Sequence, residues 1–437
     1  MEKNLAVLKL GIQYLYRYRR RYYFLLAALV LGFAVVTFIT STKDGMYDSV
    51  YYSAQAHYAG DIIAIGHINF PPGGFIHHLG QNEITGILNA ADIAGINPQH
   101  TVFRTNIGNA AIHYNGIAIQ LKYLIGSDWD GEAHLFGKMN FNQPPALDIG
   151  DDGIILSVPV AGQLGAKMGD RVILELDTRF GQKNTGQFIV KGIVHDTSIF
   201  GFYKAYISRL TLNRLVLFDD NDCSSIGFFL DNPGLAGQKR IRLQEHISAH
   251  LQTGPLVYDR EEMVRERDRP LEGNRIFLYT LPVYLSEIAD LLDTMNIITY
   301  LVYGMMLIII FVSAAVTYRL ILHERSREIG IMRTIGFCGG DLRLVLWTEI
   351  AVMGIISMVL GFFLARICGW AVSFISFSWF PGFEIFLKNE KLIAMYMPGT
   401  VLLNAILLLF VLGILALFPS FRITQKNLPG LLSGGPL

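Results

Sequence analysis

His323-Glu324-Arg325-Ser326-Arg327-Glu328-Ile329-Gly330-Ile331-Met332-Arg333-Thr334-Ile335-Gly336 is a polar island between two apolar runs of membrane-crossing length. Its Arg and Glu residues recur at helical spacing, and a looser basic turn follows around Asp341 and Arg343. The chain must leave the bilayer here, so the segment is expected to be a short helix held by something in the cytoplasm.

Working outward, 52% of the 437 residues are hydrophobic and only 16% are charged, and the apolar ones are bunched. A span needs about 20 mostly apolar residues to cross a core of roughly 30 Å. Tyr22–Thr40, Ile297–Tyr318, Leu344–Ile367 with an apolar continuation to Phe377, and Val401–Phe418 meet that length. Lys and Arg gather on one side of these runs: Lys9, Arg17, Arg19, Arg20 and Arg21 before the first, then Arg319, Arg325, Arg327, Arg333 and Arg343 between the second and third. Arg422 and Lys426 follow the fourth, whereas in 378–398 Lys388 and Lys391 are balanced by Glu384 and Glu390. The positive-inside rule then puts both termini and the 319–343 loop in the cytoplasm. A cleaved signal peptide is the competing reading of 1–42, but its apolar run exceeds an h-region and no small-x-small site follows. The expected order is a cytoplasmic amphipathic segment at 1–21, a first span at 22–42, an outside domain of two lobes at 43–282, and a stalk with second span at 283–322. A cytoplasmic loop at 323–343, a third span at 344–377, an outer loop at 378–398, a fourth span at 399–419 and a cytoplasmic tail at 420–437 complete it.

The formal net charge is zero, which gives no footing for a nucleic-acid or acidic partner. Cys223, Cys338 and Cys368 fall in the outside domain, the cytoplasmic loop and a span, so no intrachain disulfide is expected. His77-His78, His113, His134 and His195 lack zinc spacing. Gly131 to Met139 fails as a Walker A loop, having the wrong spacing and no Ser or Thr for magnesium. Leu432-Ser433-Gly434-Gly435-Pro436 only echoes an ATPase signature, with no nucleotide-binding domain around it. No nucleophile, acid/base pair or metal constellation emerges, so an enzyme is not expected and any driving energy must come from another polypeptide.

The outside segment reads as mixed α/β. Asp61–Ile65, Ile117–Ile125, Arg171–Leu176, Gln187–Val194 and Ile226–Leu230 have strand grammar. Val158–Met168, Ile207–Leu217 and Leu235–Leu251 have helical apolar spacing. A weaker Gly- and Pro-rich lobe is expected near 70–150. Between two strands, Thr178-Arg179-Phe180-Gly181-Gln182-Lys183-Asn184-Thr185-Gly186 is longer than a tight turn, and reads either as a projecting loop that grips a partner or as a solvated hairpin tip. From Pro282 the sequence supports one helix to about Glu324, roughly 60 Å long, of which only half fits in lipid. The rest would be a stalk.

In the third span Ser357, Gly361, Ala365, Gly369 and Ser373 recur every fourth residue, leaving one face nearly free of bulk. Tight packing within one subunit and a dimer contact both fit. Glu349 and Arg366 sit near the two ends of this span, where each would reach an interface or partner instead of lipid. The spans lack the inverted, broken halves of secondary transporters.

The block Glu324 to Gly336, the polar turn, Asp341 and then Glu349 resemble the hallmark of MacB/LolC/FtsX-type permeases of ATP-binding-cassette systems. Ala59-Gly60-Asp61-Ile62, the stretch from Ala161 to Val172, Lys191-Gly192-Ile193-Val194 and Pro419-Ser420-Phe421-Arg422 resemble further family positions. The resemblance implies a homodimer or heterodimer of permeases in a bacterial inner membrane, bound to two cytoplasmic ATPases that carry the ATP and Mg, with no cofactor in this chain. It implies that Glu324, Arg325, Arg327, Glu328, Gly330, Arg333, Gly336 and Asp341 dock on the ATPase, and that its closure moves stalks and outside domains by mechanotransmission. Charge reversal at Arg327 or Glu328 is expected to uncouple hydrolysis without unfolding the chain. In the lipoprotein-releasing branch one permease recruits a periplasmic carrier from the position that Thr178, Arg179, Phe180, Gln182, Lys183 and Asn184 occupy here. Lipoprotein release is thus the first expectation; efflux of a drug, peptide or toxin with a membrane-fusion partner, and regulation of cell-wall hydrolases, are the alternatives.

Overall fold

A computed structural model describes residues 13, 15, 19–70, 74–137, 139, 141–143, 149–194, 203–267, 269, 273–377, 379, 383, 386–388 and 391–425. Most of the 1–21 segment, His195 and the 432–436 motif lie outside them, as do 426–437 of the expected tail. The helices are α1 (Arg19–Tyr58), α2 (Gln81–Ile93), α3 (Ala133–Phe136), α4 (Val158–Leu164), α5 (Arg209–Val216), α6 (Ala236–Ser248), α7 (Arg260–Arg267), α8 (Leu281–Glu324), α9 (Ser326–Thr334), α10 (Gly339–Val372) and α11 (Pro398–Gln425). The strands are β1 (Ile62–Phe70), β2 (Gly74–Ile76), β3 (His100–Ile107), β4 (Ala111–Tyr114), β5 (Ile117–Gln120), β6 (Tyr123–Ser127), β7 (Phe141–Gln143), β8 (Gly153–Ser157), β9 (Arg171–Asp177), β10 (Lys183–Val194), β11 (Lys204–Ser208), β12 (Ser225–Phe229) and β13 (Asn274–Thr280). Two compact units result. One comprises Met1–Asp48, Leu292–Ser376 and Lys391–Leu437, the other Ser49–Leu291 with Phe377–Glu390.

In the helical unit, α1, α8, α10 and α11 each carry a stretch long and apolar enough to cross a membrane. Each buries one stripe. On α1 it is Tyr22, Leu25, Leu29, Phe33 and Val36, at spacings of three and four, while Phe24 and Leu31 between them point outward. These side chains share a core with Ile310, Ala314 and Tyr318 of α8, Leu346 and Met353 of α10, and Leu408 and Leu412 of α11. Buried polar contacts fix the register: Asn404 on α11 donates to Thr40 Oγ1 on α1 at 2.9 Å, and Thr400 Oγ1 donates to Asp44 at 2.7 Å. The long helix expected from Pro282 to Glu324 is present as α8. The first one runs further than expected, to Tyr58, because Ser41–Tyr58 is polar enough to end a hydropathy run yet contains no proline.

The other unit is one mixed sheet, in the order β13-β1-β12-β3-β6-β11-β8-β10-β9-β4-β5, with β2 beside β1 and β7 beside β10. Pairing is antiparallel except β6–β11 and β8–β10. Strand alternation sorts side chains to its faces. Val172, Leu174 and Leu176 of β9 point inward with Phe188 and Val190 of β10, onto Val160 and Leu164 of α4 and Leu212 and Val216 of α5. A second core joins Ile62 and Ala64 of β1, Ile226 and Phe228 of β12, and Ile276 and Leu278 of β13 to Ile87 of α2 and Leu243 of α6. Residues 70–150 form no lobe of their own: Ile84 and Ile87 enter this second core, Ile112 and Leu124 the first.

Three local expectations shift. Ile117–Ile125 splits into β5 and β6, the helix starting at Val158 stops at Leu164 with Gly165 left-handed (φ 67), and Ile207-Ser208 closes strand β11 before α5 begins. The 178–186 segment is not a long loop. β10 already pairs at Lys183 with Asp177, so the tip is Thr178–Gln182, closed by Thr178 N–H donating to Gln182 O at 2.8 Å. It is also tied down, with Arg179 N–H on Val216 O at 3.1 Å and Asn184 Nδ2 on Leu215 O at 2.8 Å.

Candidate functional site

α9, the expected cytoplasmic helix, is two-faced. Ile329, Gly330 and Met332 are buried in the helical unit's core, whereas Ile331 and Ile335, four residues apart, are 46% and 74% exposed. Gly336 ends the helix in the left-handed region (φ 100), and Phe337 N–H donates back to Met332 O at 3.1 Å, a pairing that a residue with a Cβ would strain. The turn into α10 is closed by Asp341, whose Oδ2 accepts the Cys338 N–H at 3.3 Å.

Arg325 does not point outward as the docking assignment requires. It is 1% exposed, and its Nη1 donates to both Glu349 oxygens, at 3.0 and 2.8 Å, and to Tyr22 Oη at 2.8 Å. Tyr22 in turn donates to Glu349 Oε2 at 2.8 Å. Glu349 is fully buried: of the expected interface or partner, what both of its oxygens meet here is an interface between segments of this chain. The cause is the low polarity of the bundle interior, where a carboxylate is tolerated only with a cation and hydrogen bonds around it. Three elements meet here: α1 through Tyr22, α10 through Glu349, and the start of the α9 segment through Arg325. Glu328 is half-buried and lies 3.6 Å from Arg325 Nε. Among the other residues of the block, Glu324 and Gly336 are exposed and Arg333 and Asp341 half-buried, while the Arg327 side chain lies outside the described residues.

The small-residue face of α10 packs within the chain. Gly361 lies so close to α1 that a Cβ would stand 2.9 Å from Val30 O and 3.0 Å from Phe33. Ser357 and Ala365 are fully buried, and Tyr396 Oη donates to Ala365 O at 2.7 Å beside Gly369. From Ser357 to Gly369 the stripe faces other segments of the same chain. Arg366 is exposed, its guanidinium 5.6 Å from the Tyr396 ring centre. Gly361→Val is expected to destabilise the chain by about 1–3 kcal/mol, because a backbone carbonyl cannot yield as a side chain would. Gly340→Val, with open space around it, is the matched control. Thermal unfolding in detergent measures both, and equal melting points would refute the contact.

A second constellation lies in the sheet unit, at the end of α1. Ala59 (φ 65) and Gly60 (φ 151) turn the chain into β1, and the buried Asp61 receives it. The Asp61 carboxylate accepts from Tyr51 Oη at 2.8 Å, Gln55 Nε2 at 2.9 Å and Leu230 N–H at 2.8 Å, while its carbonyl accepts from Leu281 N–H, the first residue of α8, at 3.1 Å. Burial, with the Asp61 bond and charge, pushes the Tyr51 phenol above its ordinary range. Beside it Arg104, 1% exposed, donates from Nε to Glu132 at 2.9 Å and from Nη1 to the carbonyls of Ala56 and His57, at 3.0 and 2.8 Å. A cation thus covers the carbonyl end of α1. Ala59-Gly60-Asp61-Ile62 was legible as a motif, but Arg104 and Glu132 carry no sequence signal that sets them apart from solvated charges.

At the hairpin tip Phe180 is exposed with the Arg179 guanidinium over its ring at 4.8 Å, and Lys183 bridges Asp177 at 2.9 Å and Glu175 at 3.4 Å. No group of three or more potential metal ligands occurs among the described residues.

Residues 300–428 match the family of FtsX-like permease C-terminal domains, so this part of the chain is an FtsX-like permease domain, with α9, Arg325 and Glu349 inside it. The chain is a multi-pass membrane protein with four candidate spans. Among solved structures it is similar to the periplasmic region of MacB from Actinobacillus actinomycetemcomitans, at 13% identity and a TM-score of 0.30, over 54% of this chain and 96% of that one. A comparison with curated proteins found no match.

Proposed function

We propose that the chain is the non-catalytic membrane subunit of an ATP-binding-cassette system in a bacterial inner membrane, its termini and α9 on the cytoplasmic side. Two ATPase subunits supply ATP and Mg, a second permease subunit completes the assembly, and α9 receives the ATPase stroke that α1 and α8 convey to the sheet unit. The observation that carries this is α9 itself: within the matched permease region, one of its faces is built into the bundle and the other leaves Ile331 and Ile335 uncovered. Differential contact of an ATPase with that face would shift the population of two arrangements of the permease.

Ile335 tests the assignment better than the charges do, because Glu328 pairs with a buried arginine and reversing it would disturb the fold as well. Ile335→Asp is expected to leave the melting point within about 1 °C, since a surface change costs little, and to lower ATPase recovery on co-purification by about tenfold, or 1.4 kcal/mol. Undiminished recovery would sink the docking role of α9.

For cargo we propose lipoprotein release, with the Arg179/Phe180 tip as the contact for a periplasmic carrier; what supports it is an exposed aromatic stacked with a cation on a tip held in place by two bonds to the α5 end. Depletion should leave acylated proteins in the inner membrane. Drug or toxin sensitivity with normal lipoprotein sorting would instead favour efflux, and capture of a wall hydrolase would favour a regulatory role.

A further inference from the structure

The sheet unit contains a cavity of about 280 Å³ that the permease role does not use. It lies on the face of β1 and β13 opposite the second core: Ile62, Ala64, Ile276 and Leu278 point into that core, so Ile63, Ile65 and Tyr279 point away from it and into the cavity. The short helix α7 through Met263, the start of α8 through Val283 and Tyr284, and Val257 cover this side, and the space is left among them.

Its lining has a definite chemistry. Four tyrosines, Tyr58, Tyr123, Tyr279 and Tyr284, form much of the wall; Tyr58 and Tyr284 stack at 4.0 Å and Tyr279 meets Tyr284 edge-on at 5.6 Å. Arg260 and Arg267, seven positions apart and hence on one face of α7, supply the charge. No Asp or Glu is among the described residues that line it. Burial is the main influence on both lining histidines. Burial pushes His57 well below its ordinary pKa, and Lys204, Arg104 and Lys122 push it further. Burial also takes His77 down to about 4, with His67 and Arg267 adding to the effect against an opposing bond to Gly66 O. Both imidazoles are therefore neutral near pH 7, leaving two guanidiniums as the charge of the lining.

We propose that this cavity is a binding site for a small organic anion: an aromatic-sized apolar body against the tyrosines, carrying one carboxylate, sulfonate or phosphate that the α7 arginines hold. Guanidinium forks pair with such oxyanions bidentately, and tyrosine faces accept flat apolar bodies. A volume just below the range of ligand pockets, roughly 300–1,000 Å³, suits one or two fused rings.

Equilibrium dialysis of naphthalene-2-sulfonate against the full chain in lipid nanodiscs, with empty nanodiscs as the blank, tests this. Saturable one-site uptake is expected, weakened about tenfold or more in the Arg260→Gln/Arg267→Gln double variant and for trimethyl(2-naphthyl)ammonium on the unaltered chain. Uptake no greater than the blank, equal affinity for the cation, or an unchanged affinity in the double variant would each overturn the proposal. Should the double variant lose its far-UV spectrum, the single variants and the sign discrimination on the unaltered chain decide the matter in its place.

Discussion

Glu349→Ala should cost the permease about 3–5 kcal/mol, the penalty of removing the buried carboxylate that the Arg325 guanidinium faces. Arg325 is almost wholly enclosed and directs its Nη1 at both Glu349 oxygens, and Tyr22 spends its own donor on the same carboxylate. With the carboxylate gone, water must enter the bundle or the start of α9 must leave it. Against a typical stability of about 5–15 kcal/mol that is a large fraction. Denaturant titration in detergent measures the loss. A double Arg325→Met/Glu349→Met variant should recover most of it, because both fully buried charges are removed together and the Glu328 left behind is only half-buried. Such a variant also separates the roles of the network: regained stability with ATP-driven activity still absent would show that the ion pair sets where α9 stands and does more than hold the bundle together. A single alanine variant as stable as the parent chain would refute the buried pair itself.

Arg104→Met has a comparable expected effect, about 3–5 kcal/mol by the same reasoning, in the other unit. Glu132 is 0% exposed and would lose the guanidinium paired with it, and the Ala56 and His57 carbonyls at the end of α1 would lose their guanidinium donor. Such carbonyls must find partners or be exposed to water. Fraying of the last turn of α1 should therefore accompany the loss of stability, and hydrogen exchange at residues 52–58 can read it. Adding Glu132→Met should restore stability but not the protection, since the carbonyls still lack their donor. Unaltered exchange in both variants would show that Arg104 does not hold the helix end.

Much of the architecture was legible because it rests on local pattern. Apolar runs of bilayer length marked α1, α8, α10 and α11, and short runs of branched and aromatic residues marked β9 and β12. Boundaries failed where a helix outlived its hydropathy, as α1 does past Thr40, and where β11 hid its strand in front of a helical pattern at Ile207. The hairpin tip was overestimated because Lys183-Asn184-Thr185-Gly186 is polar; strand pairing with β9 came from ladder bonds and from alternate residues facing solvent, neither of which needs apolar side chains.

The candidate site divides along a similar line. Sequence spacing alone determined that α9 would exist, lie between two spans and carry charge, since helical period and the length of flanking apolar runs are properties of neighbouring residues. Which of its charges face a partner was decided only by the tertiary structure. Arg325 and Tyr22 stand 303 positions apart, and Arg104 and Ala56 stand 48 apart. A guanidinium in water and one closed in a bundle are the same letter in a sequence; burial, which sets the cost of leaving it unpaired, is a property of the packed chain.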